Sequence, residues 1–285
     1  MTVANTRAHE LGPPIPGPSA LGGSARRFAY LAATLAVTEF KLRFFGSALG
    51  YLWQLVRPLM LFGVLYLVFT EFVKIGDRVA FYPVVLLANI VLFTFFQEGT
   101  GAVGSVVDRE GLVRKIHFPR MAIPVSVVLT AGFNLVLNLL VVMAFAVASG
   151  VRPRWSWLQA PVLVLLLAAL VLGLAMLLSA LYVRYRDVKP IWEVALQALF
   201  YGTPVIYAVE TIGVSKTVQE LIMMNPVAAI LEQFRHAVID PAAPTAAAAA
   251  GGTLRLLVPL GILVAVCALG YRVFDRAAPH IAEEL

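Results

Sequence analysis

The chain has 285 residues and a net charge of +6, and 60% of its residues are hydrophobic whereas only 13% are charged. Soluble domains carry about 25% charged residues, so the composition excludes an ordinary soluble protein and indicates a multi-pass integral membrane protein. The basic residues are scattered between apolar stretches, which argues against a nucleic-acid partner. The single cysteine, Cys267, and four widely separated histidines predict neither a disulfide nor a metal site.

The N-terminal region divides into two parts. Residues 1–24 are rich in proline and glycine, a composition that resists regular structure, and we expect a disordered cytoplasmic tail there. Residues 25–46 place apolar residues near helical spacing among charged ones, with Glu39 and Arg43 as a favourable i,i+4 pair. This pattern predicts an amphipathic helix in the membrane interface, and a helix packed on protein at the soluble side is the alternative.

Six apolar stretches are each close to the ~20 residues that cross a ~30 Å hydrocarbon core. They cover residues 52–72, 82–104, 121–149, 158–182, 189–208 and 254–274. With the N-terminus in the cytoplasm, fifteen of the 22 basic residues fall inside and seven outside, so the positive-inside bias places both termini in the cytoplasm. The sequence therefore predicts an all-α integral membrane protein, with one transmembrane domain of six helices over residues 25–285.

The segment before the last predicted span, residues 209–253, is too long for a turn. It contains an apolar amphipathic piece at 221–238 that the pair Asn225-Pro226 interrupts. Such a piece is too short to span a bilayer, so we expect a re-entrant or interfacial hairpin on the outer side. An ordinary periplasmic loop is the alternative.

A charged island at 105–118 separates the second and third predicted spans. Its charges cannot lie in hydrocarbon, where each costs at least a few kcal/mol, and its excess of basic residues places it in the cytoplasm. We interpret the island as a short helix on which a soluble partner docks, with membrane anchoring or helix packing as the alternative role. The candidate residues in the island are the charged Arg109, Glu110, Arg114 and Lys115 and the apolar Leu112, Ile116 and Phe118, and Arg120 follows just after it in the charged stretch 104–124.

Several kinds of chemistry are absent from the sequence. It contains no Gly-x-x-x-x-Gly-Lys-Ser/Thr loop for nucleotide phosphates, no Gly-x-Ser-x-Gly elbow and no His-Glu-x-x-His motif. We therefore expect no catalytic residues, no metal and no cofactor in this chain. The ionisable residues Arg57, Glu71, Glu98 and Glu193 all fall near predicted span ends, which argues against a proton relay and for energy supplied by another protein.

Five motifs occur in order along the chain. They are LRFFGSALGYLW at 42–53 followed by Arg57-Pro58, GLVRKIHFPR at 111–120 with Pro124, RYRDV at 184–188 with TPVIY at 203–207, Asn225-Pro226 with Phe234-Arg235, and the C-terminal segment 274–285. Together they resemble the transmembrane subunit of type-2 ABC exporters, in particular the branch that exports polysaccharides, O-antigens and teichoic acids. The resemblance covers nearly the whole chain from about Arg26 onward.

The resemblance implies a homodimer in the cytoplasmic inner membrane, bound by two copies of a separate ABC ATPase that holds ATP and magnesium. It also implies a translocation path along the dimer interface. The island at 105–118 would be the coupling helix, and Arg184, Arg186 and Asp187 would form a second cytoplasmic loop.

Aromatic side chains suggest the type of cargo. Phe62, Tyr66 and Phe69 recur at helical spacing in the first span, and the fifth contains Phe200, Tyr201 and Tyr207. Sugar rings stack on aromatic rings, so these residues are candidates for a glycan path, although helix packing or an interfacial aromatic belt explains such stripes equally simply.

The sequence thus predicts the permease subunit of an exporter for a lipid-linked polysaccharide or teichoic-acid-like polymer, in contact with membrane lipid. The alternatives are a drug or lipid exporter of the same superfamily and, in a different class, an integral-membrane enzyme or scaffold of lipid-linked glycan assembly.

Overall fold

A computed structural model describes residues 24–43, 50, 52–74, 78–115, 118–211 and 213–281, without the side chains of Arg43, Leu112, Arg114 and Lys115. The predicted tail at 1–24, apart from Ser24, and the end of the predicted interfacial helix lie outside these residues. Every regular element within the described ranges is helical, as the sequence predicts. The helices are α1 (Ala25–Arg43), α2 (Leu52–Leu67), α3 (Tyr82–Thr100), α4 (Glu110–Lys115), α5 (Ala122–Ala148), α6 (Gln159–Arg184), α7 (Val188–Gly202), α8 (Lys216–Ile222), α9 (Pro226–Phe234), α10 (Ala246–Ala249) and α11 (Leu257–Ala277).

Five helical segments within the described residues are long and apolar enough to cross a membrane. They include the short 3₁₀ or π turns that extend some of the helices, and they run over Leu52–Phe72, Tyr82–Gly104, Ala122–Ala148, Trp155–Arg184 and Thr253–Ala277. These segments match the predicted first, second, third, fourth and sixth spans within a few residues.

The predicted fifth span is different. Helix α7 has 15 residues, which is about 22 Å at 1.5 Å per residue and shorter than the ~30 Å hydrocarbon core. The helix ends because Thr203 is extended (φ −100°, ψ 143°), the conformation favoured before a proline such as Pro204. The six-span prediction is therefore not confirmed at residues 189–208.

Helix α3 fixes the segment that follows this break. The Nδ2 of Asn89 donates to the carbonyl oxygens of Pro204 (3.0 Å) and Val205 (3.2 Å). The hydroxyl of Tyr82 donates to the carbonyl oxygen of Ile206 (2.9 Å). A buried carbonyl without a donor is costly, so these bonds allow a non-helical backbone to remain inside the bundle.

Helix α3 is the centre of the bundle. In the most apolar 18-residue stretch of the α3 segment, 78% of the residues are buried within the chain. In the corresponding stretches of the α2 and α11 segments, only 11% and 17% of the residues are buried. Large side chains of α2 and α11, such as Met60, Val64 and Val264, remain exposed within the single chain. Such continuous apolar surface is suited to lipid or to another subunit.

Helices α6 and α11 approach closely at two glycines. A Cβ placed on Gly270 would lie 2.1 Å from the carbonyl oxygen of Gly173, and a Cβ on Gly173 would lie 2.9 Å from the Cα of Cys267. Glycine removes the side chain that would otherwise hold the two backbones apart, as is common where membrane helices cross.

The region before the last span is a packed helical unit that contains α8, α9 and α10. Helix α9 begins at the Asn225-Pro226 pair, where Asn225 Oδ1 accepts from the amide of Val227 (2.9 Å) and caps the helix. All but one of the residues of α9 are buried, and the helix packs against α6 and α11. The predicted outer hairpin is thus a folded element that contributes to the core.

An ion-pair cluster lies at the end of α9. The buried guanidinium of Arg235 bridges Glu210 (2.6 Å) and Glu232 (3.2 Å), and the Glu232 side chain is only 3% exposed. Burial raises the pKa of Glu232 to about 7, although the charge of Arg235 opposes this shift.

Candidate functional site

The candidate coupling segment connects α3 to α5. After α3 the chain continues through the 3₁₀ turn Gly101–Gly104 into further turns and then into α4, which occupies six of the fourteen residues that the sequence assigns to a helix at 105–118. Ile116 lies outside the described residues, and the side-chain positions of Leu112, Arg114 and Lys115 are likewise not described. Glu110 is half-buried, and the neighbouring Val113, which the sequence analysis did not select, is buried in the bundle.

Arg109 connects three elements of the chain. One guanidinium nitrogen lies 2.5 Å from the Glu39 carboxylate of α1, and the other donates to the hydroxyl of Ser126 on α5 (3.1 Å). Glu39 therefore pairs with Arg109 across 70 residues, whereas the predicted partner Arg43 has no described side chain. Within this chain Arg109 holds the segment between α3 and α5 in place, and its predicted contact with a partner protein stays a prediction.

Helix α1 packs on α5 along its small residues. Ala32 and Ala36 are buried, and the hydroxyl of Thr130 on α5 lies 3.3 Å from the carbonyl oxygen of Ala36. The rings of Phe40 and Phe133 meet edge to face with centroids 5.8 Å apart. The other faces of α1 are exposed, so the helix is held on protein along one side and is free to contact the membrane interface along another.

Arg120 holds the C-terminal segment. Its side chain is buried, and its guanidinium donates to the carbonyl oxygen of Ala278, beside the buried Phe274 and Ile281. Phe118 is half-buried and packs against the same apolar cluster. Both residues were predicted to contact a partner, and both make contacts inside the chain that fix the coupling segment to the last helix.

The second predicted cytoplasmic loop is exposed. Arg184, Arg186 and Asp187 occupy the end of α6 and the turn before α7. The guanidinium of Arg186 lies over the ring of Tyr182 (5.2 Å), and that of Arg184 lies over the ring of Tyr185 (5.6 Å). These contacts hold charged groups at the surface, where a partner could reach them.

The candidate path aromatics form two separate groups. In α2, Phe62 stacks on Tyr66 with centroids 5.6 Å apart, and half-buried Phe69 lies in the π turn that follows. The ring of Phe200 in α7 contacts that of Tyr201 at 5.4 Å.

Contacts to the rest of the bundle explain part of this arrangement. Phe62 also contacts Phe145 (6.1 Å), and Phe200 contacts Phe93 of α3 (5.3 Å). The hydroxyl of Tyr207 donates to the carbonyl oxygen of Tyr201 (3.2 Å). Among the described residues, no ring contact connects the aromatic group of α2 to that of α7.

A polar cavity of about 310 Å³ lies between α2, α3 and α5. The carboxylate of Glu98 accepts from Nδ2 of Asn134 (2.7 Å) at its wall. The other polar side chains that line it are Gln54, Arg57, Thr94, Gln97 and Asn138. The sequence analysis interpreted Arg57 and Glu98 only as charges at span ends and did not select the amides.

The described residues contain no group of three or more His, Cys, Asp or Glu side chains that could hold a metal ion. The geometry is thus that of a helical membrane protein with a charged segment attached to it by ion pairs and hydrogen bonds and a polar cavity between its helices. A family model described as "ABC-2 type transporter" matches residues 30–239, which is most of the chain. The chain belongs to the ABC-2 type transporter family.

Curated relatives agree with this ABC-2 assignment. The chain is 30% identical over 206 residues to a Myxococcus xanthus protein named "O-antigen export system permease protein RfbA", an alignment that covers 72% of this chain and 78% of the relative. Two Klebsiella pneumoniae proteins of the same name are 26% identical over 208 residues and 24% identical over 262 residues. The first alignment covers 72% of this chain and 79% of its relative, and the second covers 90% and 95%.

The ABC-2 match contains every candidate site named above. It includes the coupling segment, the loop at Arg184, the aromatic groups and the polar cavity. A sequence signal for the cavity does exist, because Asn134 and Asn138 are one helical turn apart inside an apolar span, and so are Gln54 and Arg57. Polar residues inside membrane helices are costly, so such pairs are worth selecting even without a motif.

Proposed function

We propose that this multi-pass membrane protein is the permease subunit of an ATP-driven exporter that moves a lipid-linked polysaccharide or teichoic-acid-like polymer across the cytoplasmic membrane. The observation that carries the proposal is the 30% identity, over 72% of the chain, to a protein named as an O-antigen export permease. The structure is compatible with transport, because the bundle contains polar groups within apolar helices and has large apolar surfaces left for lipid or a second subunit.

Energy comes from a partner in this proposal. Two copies of an ABC ATPase bind ATP and magnesium, and each copy of this chain in the homodimer supplies a charged surface for one of them. The argument from this chain is that its sequence contains no phosphate-binding loop. The coupling segment is firmly attached through Arg109 and Arg120, so a force applied to α4 would reach α1, α5 and the C-terminal segment.

The assembly is a homodimer in the inner membrane with both termini in the cytoplasm. The exposed apolar faces of α2 and α11 are the candidates for the dimer contact and for lipid. The glycan path follows the dimer interface, where the half-buried Phe62, Tyr66 and Phe69 of the α2 segment would offer many weak ring contacts to a sliding polymer.

Co-purification with a partner ATPase tests the proposal. The tagged protein is extracted from its host in mild detergent, and we expect close to one ATPase with a phosphate-binding loop per permease. Charge reversal of Arg114 and Lys115 to Glu should abolish this association while the permease remains folded. A matched control reverses Arg78 and Arg152, two exposed arginines predicted to lie on the opposite side of the membrane, and should keep the ATPase bound.

Either of two results contradicts the assignment. One is a permease that never associates with an ATPase, even after crosslinking. The other is a deletion strain that displays its surface glycan at the normal level.

A further inference from the structure

The polar cavity between α2, α3 and α5 is built from the ends of two helices and the middle of a third. Gln54 and Arg57 lie in the first two turns of α2, Glu98 lies in the last turn of α3, and Asn134 and Asn138 lie along α5. In the proposed topology the start of α2 and the end of α3 both face the cytoplasm. The cavity is therefore on the side from which an exported molecule arrives.

One amide in the cavity wall lacks hydrogen-bond partners. Gln54 is 6% exposed, and no hydrogen bond joins its side-chain amide to the described part of the chain. Asn134 is only 4% exposed, its Nδ2 donates to Glu98, and its unpaired Oδ1 is enclosed by atoms of the chain, so this oxygen is not open to a ligand. Buried polar groups in native proteins are normally paired, so the Gln54 amide calls for a ligand that can both donate and accept a hydrogen bond.

The groups present select the chemistry of that ligand. A phosphodiester has no proton to donate to the amide oxygen of Gln54, and it would be repelled by the carboxylate of Glu98 in the same cavity wall. The opposite charges of Arg57 and Glu98 leave the lining close to neutral. A hydroxyl group both donates and accepts, and so it matches a wall of amides and one carboxylate.

Size and the remaining wall narrow the ligand further. A cavity of about 310 Å³ is at the lower end of the ~300–1,000 Å³ that small-molecule sites occupy, so it would hold one small ring rather than an oligomer. Leu61, Phe95 and Leu135 add apolar lining on which the carbon face of a sugar could rest. We infer that the cavity between α2, α3 and α5 binds one uncharged sugar residue of the exported glycan; this inference rests on the proposed function.

Site-specific photocrosslinking tests the inference. A benzophenone amino acid replaces Leu61, which lines the cavity, or Leu140, which is exposed on α5 and does not line it. After irradiation of glycan-producing cells the permease is purified, and attached glycan is detected by periodate oxidation and hydrazide labelling. We expect labelled protein from the Leu61 position and none from Leu140.

Substitutions in the wall make the test specific. Gln54→Leu or Asn138→Leu, combined with the Leu61 probe, should reduce labelling roughly fivefold, as expected when one hydrogen bond to a ligand is lost. Association with the ATPase is measured on the same samples to show that each variant has folded. Unchanged labelling in both folded variants would overturn the inference.

Two strains separate the remaining outcomes. In cells that cannot make the glycan the label should vanish, whereas labelling that persists would identify a membrane glycolipid as the ligand and would overturn the assignment to cargo. If the deletion strain loses its surface glycan but the Leu61 probe stays unlabelled, the cavity inference fails and the proposed function stands. If the deletion strain keeps its surface glycan, the proposed function itself fails.

Discussion

Replacing Gly270 with alanine should force α6 and α11 apart. The new Cβ would lie 2.1 Å from the carbonyl oxygen of Gly173, whereas ordinary contacts begin at 3.4 Å, so the shortfall is 1.3 Å. The obstructing atom belongs to the backbone of a packed helix and has no rotamer that would relieve the contact. The two helices must therefore separate or tilt along the face on which α11 is packed.

The expected loss of stability follows from this shortfall. Overpacking a well-packed site typically costs about 1–3 kcal/mol, and a backbone obstruction favours the upper half of that range. For a chain of this size a loss of about 2–3 kcal/mol lowers the melting temperature by roughly 4–12 °C. A larger side chain, as in Gly270→Leu, should prevent correct packing of the last helix altogether.

Thermal unfolding in detergent, followed by fluorescence-detected gel filtration, is the appropriate measurement. Gly261→Ala is the matched control, because it changes the same residue type in the same helix at a position with no heavy atom within 4 Å of the new Cβ. Alanine is the better helix former by up to about 1 kcal/mol, so this control should be neutral or slightly stabilising. Equal melting temperatures for the two variants would refute the close approach of α6 and α11.

Three other perturbations test the polar contacts. Because burial raises the pKa of the Glu232 carboxyl from 4.5 to about 7, the folded protein holds this proton more tightly, and its stability should fall by about 3 kcal/mol as pH rises between these values. Glu232→Gln should flatten a pH series of unfolding measurements. Arg109→Glu should weaken ATPase binding, and Glu39→Arg in the same chain should restore it, with a coupling energy of about 1 kcal/mol between the two positions. A double-mutant cycle without coupling would exclude a role of the Arg109–Glu39 ion pair in holding the segment. Asn89→Leu leaves two buried carbonyl oxygens without their donor and should lower the free energy of unfolding by about 2–3 kcal/mol. An unchanged melting temperature would show that other contacts hold the 203–206 segment.

Hydropathy predicts the length of apolar stretches. Five of the six predicted spans match long helices of the structure, because a long apolar stretch has few alternatives to a helix in a membrane. The predicted span at 189–208 is not confirmed, because apolar composition continues past the end of α7. The pair Thr203-Pro204 stops the helix, and the buried bonds from Asn89 then stabilise an extended continuation, so the sequence still appears to be one span.

The coupling segment shows a different limit. Its charged character was readable from the sequence, but the partners of its arginines were not. Arg109 pairs with Glu39 across 70 residues, and Arg120 binds a carbonyl oxygen 158 residues away. A local pattern contains no information about such distant contacts, and for this reason residues predicted to face a partner include some that hold the chain together.

The bond between Asn89 and the segment after α7 also sets an order of events during synthesis. The two carbonyl oxygens that accept from Asn89 lie 115 and 116 residues later in the chain. At translation rates of about 5–20 residues per second, the amide waits roughly ten seconds in the membrane before its acceptors emerge from the ribosome. During that interval α3 exposes a polar group to lipid, water or another protein, so an insertion factor beside the nascent second span would stabilise it until its acceptors arrive.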